Sequence, residues 1–464
     1  MILDLKRISA SRFLIIAASV ILLLYTFVKP PFQSPDEFNH FCRAYQISQG
    51  HFTAEVKDNR LGGTIPTALW NYFAVFKEAS CDITKKTSYH DIQQTFGIQI
   101  NSKETVFVDF PNTAIYSPVS YLPAAMAIYL LSGLSDSVTV IYYGSIYFTF
   151  FVWLFSMFYV VKSLPIFQWL FVALLLNPMQ MYLLQSCSGD HVTNLLSFVL
   201  LALVLNCYFD SAKVTNRVLL AITAIAVLLA FTKIVYATLI LLLFVIGSEK
   251  FGSKRKKLLV CAVSSLLVFG LARYWSNVSL QKSISYNQYN PSNRDWVTLK
   301  KGADYVAQKI WLMEHPGQVF KVVVNSLVDD PLFYLRSYIG HFGTYMDLPV
   351  DTWFYVVSYL LLLLLAFADA GNFILTWLSK FQVALIAFLT LSMLILSQYL
   401  TWTLVGSDKV DMIQGRYLIP IAPMFFLLVY RKKTVFNFYP IYVCVCYVLL
   451  SYAYVLPLLH ERYF

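Results

Sequence analysis

Apolar runs punctuate the chain at residues 13–28, 119–131, 138–161, 165–184, 191–209, 218–231, 234–247, 258–275, 353–368, 381–401, 417–430 and 436–458. Runs of this kind predict helices that bury themselves in hydrocarbon, whose core is about 30 Å thick. Two polar stretches, 29–117 and 276–352, interrupt them and predict two large loops. Within the second, Val306, Ile310, Met313, Phe320, Val324 and Leu327 form an apolar face opposite Lys, Arg and Asp residues. That pattern suits helices lying in a membrane interface, or helices packed on the bundle.

Composition agrees with this class. Hydrophobic residues make up 58% of the 464 and charged residues 13%, which leaves no soluble domain of useful size. The net charge of +10 does not point to nucleic acid, because the basic residues cluster between apolar runs: Lys6, Arg7 and Arg12, then Lys254 to Lys257, then Arg431 to Lys433. This is the positive-inside pattern, so the charge reports topology. It predicts a cytoplasmic N-terminus on an uncleaved signal anchor, with both large loops on the outer face.

That arrangement requires an odd number of crossings between residues 117 and 254, where six apolar runs occur. The shortest, 119–131, reaches only about 20 Å as a helix and is predicted not to cross. The prediction is then an all-α integral membrane protein, one domain over 1–464, with about eleven transmembrane helices. The competing choice fuses 218–247 into one span, which strands Lys233 at mid-membrane.

The chemistry gathers on the predicted outer face. Directly after the first run stand Ser34-Pro35-Asp36-Glu37 and His40, then Arg43. Ionisable groups beside hydrocarbon are costly, so a cluster of them is a candidate site. The same residues also read as a capping box, with Ser34 as cap and Pro35 in the first helical position. Asp36 and His40, four apart, share a helix face, which allows an acid–imidazole pair or two ligands of a divalent cation. No third ligand is near in sequence. Further along come Asp190, Lys233, Asp347, Asp351 and the string Gln414-Gly415-Arg416-Tyr417. A guanidinium at headgroup depth suits a lipid phosphate, although arginine also snorkels to ordinary phospholipid. Cys42 and Cys81 share the first loop, where an oxidising compartment would permit a disulfide.

These landmarks, together with Asn112 to Pro123, Ser188-Gly189-Asp190, Lys233 to Tyr236 and Gly340 to Gly343, carry a resemblance. The chain resembles a family of bacterial multi-pass membrane proteins, domain of unknown function 2142, grouped with the GT-C glycosyltransferases. The resemblance covers nearly the whole chain. It implies a GT-C-like fold in the bacterial cytoplasmic membrane, and transfer of a sugar from a polyprenyl-phosphate donor to a glycan acceptor on the periplasmic side. The acid that such enzymes keep after the first span falls here on Asp36 or Glu37. His40, Asp190, Lys233, Gln414, Arg416 and Tyr417 are the residues expected to bind substrate. O-antigen-modifying transferases offer the nearest functional analogy. An O-antigen polymerase, or a transporter or flippase for lipid-linked sugars, is the alternative.

Overall fold

A computed structural model describes residues 7–411, 413–434 and 439–464. Lys6 of the first basic cluster and residues 436–438 of the last apolar run lie outside the described residues. Six helices are long and apolar enough to cross a membrane: Ala10–Val28, Val138–Ser163, Asp190–Phe209, Lys254–Leu280, Trp377–Trp402 and Pro440–Tyr463. Shorter apolar helices cover Pro118–Ser132, Asn216–Thr232, Ile234–Val245, Thr352–Ala368 and Gly415–Val429. The chain is therefore a largely helical membrane protein.

Consecutive apolar segments run back and forth between two ends of the bundle. At one end, Lys29 donates to the Gln185 carbonyl, Lys233 pairs with Asp190, and the Tyr182 and Tyr463 hydroxyls meet at 2.8 Å. At the other, Phe13 packs on Trp169 with ring centroids 5.7 Å apart, and Lys380 donates to the carbonyls of Leu428 (2.9 Å) and Tyr430 (2.8 Å).

Three segments depart from simple helices for identifiable reasons. The run 165–184 breaks into Gln168–Leu175 and Pro178–Leu184, because Pro178 cannot continue a helix and Asn177 caps the new one, accepting from the Met179 N–H at 2.9 Å. Ile234–Val245 winds as a 3-10 helix. At about 2.0 Å per residue, its twelve residues reach about 24 Å, against about 18 Å as an α-helix. The run 119–131 begins and ends at one end: the Ser120 hydroxyl reaches the Thr232 carbonyl (3.4 Å), and just past the run the Ile100 N–H donates to the Asp136 carbonyl (2.8 Å).

The first large loop contains an element that hydropathy did not predict. Strands Glu55–Lys57, Arg60–Pro66 and Thr105–Asp109 form an antiparallel sheet with Lys57 opposite Arg60 and Gly62 opposite Asp109. Asp58 and Asn59, at φ 52° and 56°, make the tight turn, since these two side chains tolerate left-handed backbone. Gly62 is required: a Cβ there would sit 1.9 Å from the Val108 carbonyl oxygen.

One further expectation changes, and one pair of alternatives narrows. Cys42 is buried, Cys81 is exposed, and both are free thiols, so the first loop is not held by a disulfide. In the second loop, helices Tyr305–Glu314 and Gln318–Asp329 bury Gln308, Val322, Val323 and Ser326, while Val306, Ile310, Met313 and Phe320 face outward. The apolar stripe read from the sequence is thus mainly the exposed face.

Asp369 carries one of the tightest joints. Its carboxylate accepts the N–H groups of Trp169 (2.7 Å) and Leu170 (3.0 Å), capping the helix Gln168–Leu175 from 200 residues away. Asp369→Ala should lower unfolding free energy by about 1–3 kcal/mol, measured by denaturation in detergent, and Asp369→Asn by less.

Candidate functional site

The site begins where the first helix stops. Pro30 and Pro31 end the helical course, and Lys29 turns its ammonium inward, into the protein. There it meets Glu37 at 3.2 Å, with neither side chain exposed, and lies 4.9 Å from the Tyr182 ring centroid. Glu37 also accepts from the Ser34 N–H at 2.9 Å and from the Tyr142 hydroxyl. Its carboxylate is therefore saturated by structural partners and does not line the cavity described below.

Asp36 stands differently. It precedes the helix Glu37–Ser48 in left-handed backbone, at φ 57° and ψ 17°, and its side chain caps nothing. Ser34 does not cap either: its hydroxyl is buried without a partner. Only the Glu37 half of a capping box exists. A non-glycine residue in this conformation is costly, and such residues concentrate at functional sites.

Asp36 opens into a small polar cavity of about 30 Å³, with room for roughly one water molecule. His40, Asp190, Lys233, Arg416 and Tyr417 line it too, so six of the eight residues singled out from the sequence converge. Gln414 stays outside the lining, as Glu37 does. Asn112, Thr113 and Tyr116 complete the wall. Asn112 and Thr113 carry no charge and left only their place in the Asn112 to Pro123 string as a signal. They are held against the acid's helix, because the Asn39 amide donates to the Asn112 side-chain oxygen (2.8 Å) and the Thr113 hydroxyl to the Asn39 carbonyl (3.1 Å).

Asp190 is the first residue of its helix, where a carboxylate is favoured by the helix dipole, and it pairs with Lys233. Lys233 sits in extended backbone between Asn216–Thr232 and Ile234–Val245. Its ammonium lies 4.5 Å from the Tyr417 ring centroid and 5.7 Å from that of Tyr116. Arg416 is 6% exposed and lies 5.2 Å from the Tyr417 ring, with one long contact, 3.4 Å, to the Tyr417 hydroxyl. Its Nε and Nη1 have no hydrogen-bond partner. Gly415 places it: the Gly415 N–H donates to the Ser337 hydroxyl (2.8 Å), and a Cβ there would lie 2.2 Å from the Tyr334 carbonyl oxygen.

His40 and Asp36 do not hydrogen-bond to each other. His40 Nδ1 pairs with the Tyr121 hydroxyl at 2.6 Å, and its ring lies parallel to Tyr116. Burial, reinforced by the Arg416 and Lys233 charges, pushes its pKa down to about 3, so it is neutral at physiological pH. Burial raises the Asp36 pKa; Asp190 adds to the rise, while Arg416 and Lys233 oppose it. For Lys233, burial works to lower the pKa, and Asp190 with Tyr116, Tyr417 and Tyr236 outweighs it, so the ammonium stays charged.

A divalent cation does not fit these residues. Asp190 is committed to Lys233, two cationic side chains share the cavity, and among the described residues no three His, Cys, Asp or Glu side chains are grouped to hold a metal.

A family described as "Predicted membrane protein (DUF2142)" matches residues 20–425. The chain belongs to this family. The matched span includes every cavity residue, from Asp36 to Tyr417. No curated protein and no solved structure matches the chain.

The two neighbouring acids of this DUF2142 member should separate by mutation. Glu37→Gln leaves the Lys29 ammonium buried without its counter-charge and should cost about 3–5 kcal/mol of stability. Asp36→Asn should unfold at the same temperature as the parent or higher at pH 7. Asparagine tolerates the left-handed backbone, and a carboxyl whose folded pKa is raised weakens the fold once pH exceeds its ordinary value. Thermal unfolding of both variants in detergent checks the contrast.

Proposed function

We propose that the protein is a membrane glycosyltransferase of GT-C type, moving a sugar from a polyprenyl-phosphate carrier to a cell-surface glycan such as O-antigen. The observation that carries this reading is one cavity holding both an acid free of capping duty, Asp36, and a buried guanidinium with two unpartnered nitrogens, Arg416. Transfer needs both. The acceptor oxygen bonds to the anomeric carbon as the bond from that carbon to the phosphate oxygen breaks. The hydroxyl proton passes to the Asp36 carboxylate, whose raised pKa makes it the better base. The leaving phosphate gains a negative charge, which Arg416 and Lys233 stabilise through fixed charge in a dry site. Neutral His40 and the Asn112 amide are placed to orient sugar hydroxyls. The cavity is smaller than a sugar, so donor binding must widen it.

The reading extends to the membrane. The bundle makes eleven crossings, with the N-terminus cytoplasmic and the Lys29 end facing the periplasm of the bacterial inner membrane. The back-and-forth course of the segments supports it, as does the position of Lys250, Lys254 to Lys257 and Lys380 away from the cavity. Reporter fusions after Lys162, Lys213 and Arg431 should read as cytoplasmic, and fusions near Asp190 and within 280–345 as periplasmic. A cytoplasmic signal at Asp190 defeats this topology.

Activity is tested with labelled sugar on a polyprenyl-phosphate donor and purified protein in nanodiscs. Asp36→Asn should abolish transfer while the protein stays folded. Arg416→Lys should lower turnover by about 10- to 100-fold, because lysine cannot reproduce a planar two-nitrogen contact. Transfer by the parent should fall as pH drops through the raised Asp36 pKa, since the protonated acid is no longer a base. No transfer with any donor, alongside measurable lipid translocation, would favour a flippase.

A further inference from the structure

Lys233 and Arg416 share the cavity, yet only one of them has an anionic partner. Asp190 satisfies Lys233, with side chains 14% and 10% exposed, while the Arg416 Nε and Nη1 are buried and unpartnered. Orphaned guanidinium nitrogens in a native interior ask for an acceptor. The Tyr116 and Tyr417 rings flank Lys233, so its donors are directed at the Asp190 carboxylate and the cavity. The remaining volume of about 30 Å³ is too small for a phosphoryl group while Asp190 keeps its place. Fixed charges are balanced, with Asp36 and Asp190 against Lys233 and Arg416. An added anion therefore has to displace one of the resident ones.

We propose that Asp190 is an internal stand-in for phosphate: an incoming phosphoryl group takes Lys233 from Asp190, fills the two open nitrogens of Arg416, and releases the Asp190 carboxylate from the pair. The inference deepens the transferase reading and borrows from it only that the phosphate arrives on a lipid carrier. Asp190 is the resident anion that must yield because it holds the lysine directly, whereas Asp36 makes no ion pair with either cation. Asp190 also begins its helix after a non-helical link, residues 185–189, so a shift of its first turn breaks no continuous helix, only the local bonds from the Ser188 N–H to the Ser186 hydroxyl and from the Asp190 N–H to the Ser188 hydroxyl. The exchange also explains a paired lysine beside an unpaired arginine: the empty form is held by one pair, and the ligand completes two.

The test uses full-length protein in dodecyl maltoside, a detergent without phosphate, with farnesyl phosphate and inorganic phosphate as probes in titration calorimetry. Asp190→Asn removes the competitor and should bind farnesyl phosphate at least about tenfold more tightly than the parent. Asp36→Asn removes a negative charge from the same cavity without freeing Lys233 and should gain clearly less. Equal gains in the two variants mean general electrostatics and overturn the exchange. Deuterium exchange on the unmutated protein gives a second readout that does not depend on any variant folding. On binding, amides of residues 187–193 should exchange faster and those of 414–418 slower; binding with 187–193 unchanged or slower overturns the proposal. Binding of farnesyl phosphate alone supports the exchange and assigns it to a lipid headgroup, while equal binding of both probes supports it for any phosphate. No phosphate binding by parent or variants overturns it. If sugar transfer proceeds but displacement fails, only this inference falls; if displacement occurs without transfer, only the transferase reading falls.

Discussion

A lysine and a glutamate with no exposed side-chain surface meet where the first apolar helix ends, and the rest of the site is arranged around that contact. Lys29 and Glu37 draw in the Gln185 carbonyl and the Tyr142 hydroxyl, so two distant stretches of chain converge on one pair, and the Ser34 N–H joins them locally. In an interior this apolar, each charge is tolerable only while the other is present. Beside the held Glu37, Asp36 turns through left-handed backbone where loop meets helix. The cavity acid thus stands one residue away from a structural ion pair.

Balance of charge governs the cavity itself. Two carboxylates and two cations share a space of about 30 Å³ beneath the tyrosine rings, where water is scarce and every interaction is strengthened. The pairing is nevertheless uneven, since Asp190 and Lys233 bond directly while Arg416 keeps two nitrogens open. The Nε atoms of Arg43, Arg294, Arg336 and Arg462 are also buried without a partner, but among the described arginines Arg416 alone has two such nitrogens. This asymmetry distinguishes the cluster from the Lys29–Glu37 pair, where Glu37 accepts from three donors.

The sequence made the broad class legible because burial in lipid demands long apolar helices and punishes stray charge. Asp190, Lys233 and Arg416 stand out as charges bordering apolar runs, and their convergence followed from assigning them to one face. What separates Asp36 from Glu37 was not legible. Both follow the same proline, and the difference is made by Tyr142 and Gln185, more than a hundred residues later. Asn112 and Thr113 carry no charge, so hydropathy is silent about them. The hairpin at Asp58-Asn59 had a readable turn signal, but the strands around it are too short to register against the apolar runs. The 3-10 winding of Ile234–Val245 leaves no mark in composition, since packing between neighbours decides it.

The second polar stretch has a direct role in the site although it contributes no lining residue. Pro331–Ile339 lies so close to Gly415 that only a glycine fits, and the Ser337 hydroxyl holds the Gly415 N–H. Arg416 is therefore positioned by a helix of the second loop, as Asp36 is positioned by the pair at the end of the first apolar helix. Asp36 and Arg416 are anchored to separate parts of the chain, 380 residues apart in sequence, and the rest of the cavity wall, including His40, Asn112, Asp190, Lys233 and the tyrosine rings, lies with them. A site built across that seam can widen when the two anchors move apart, with neither anchor having to unfold.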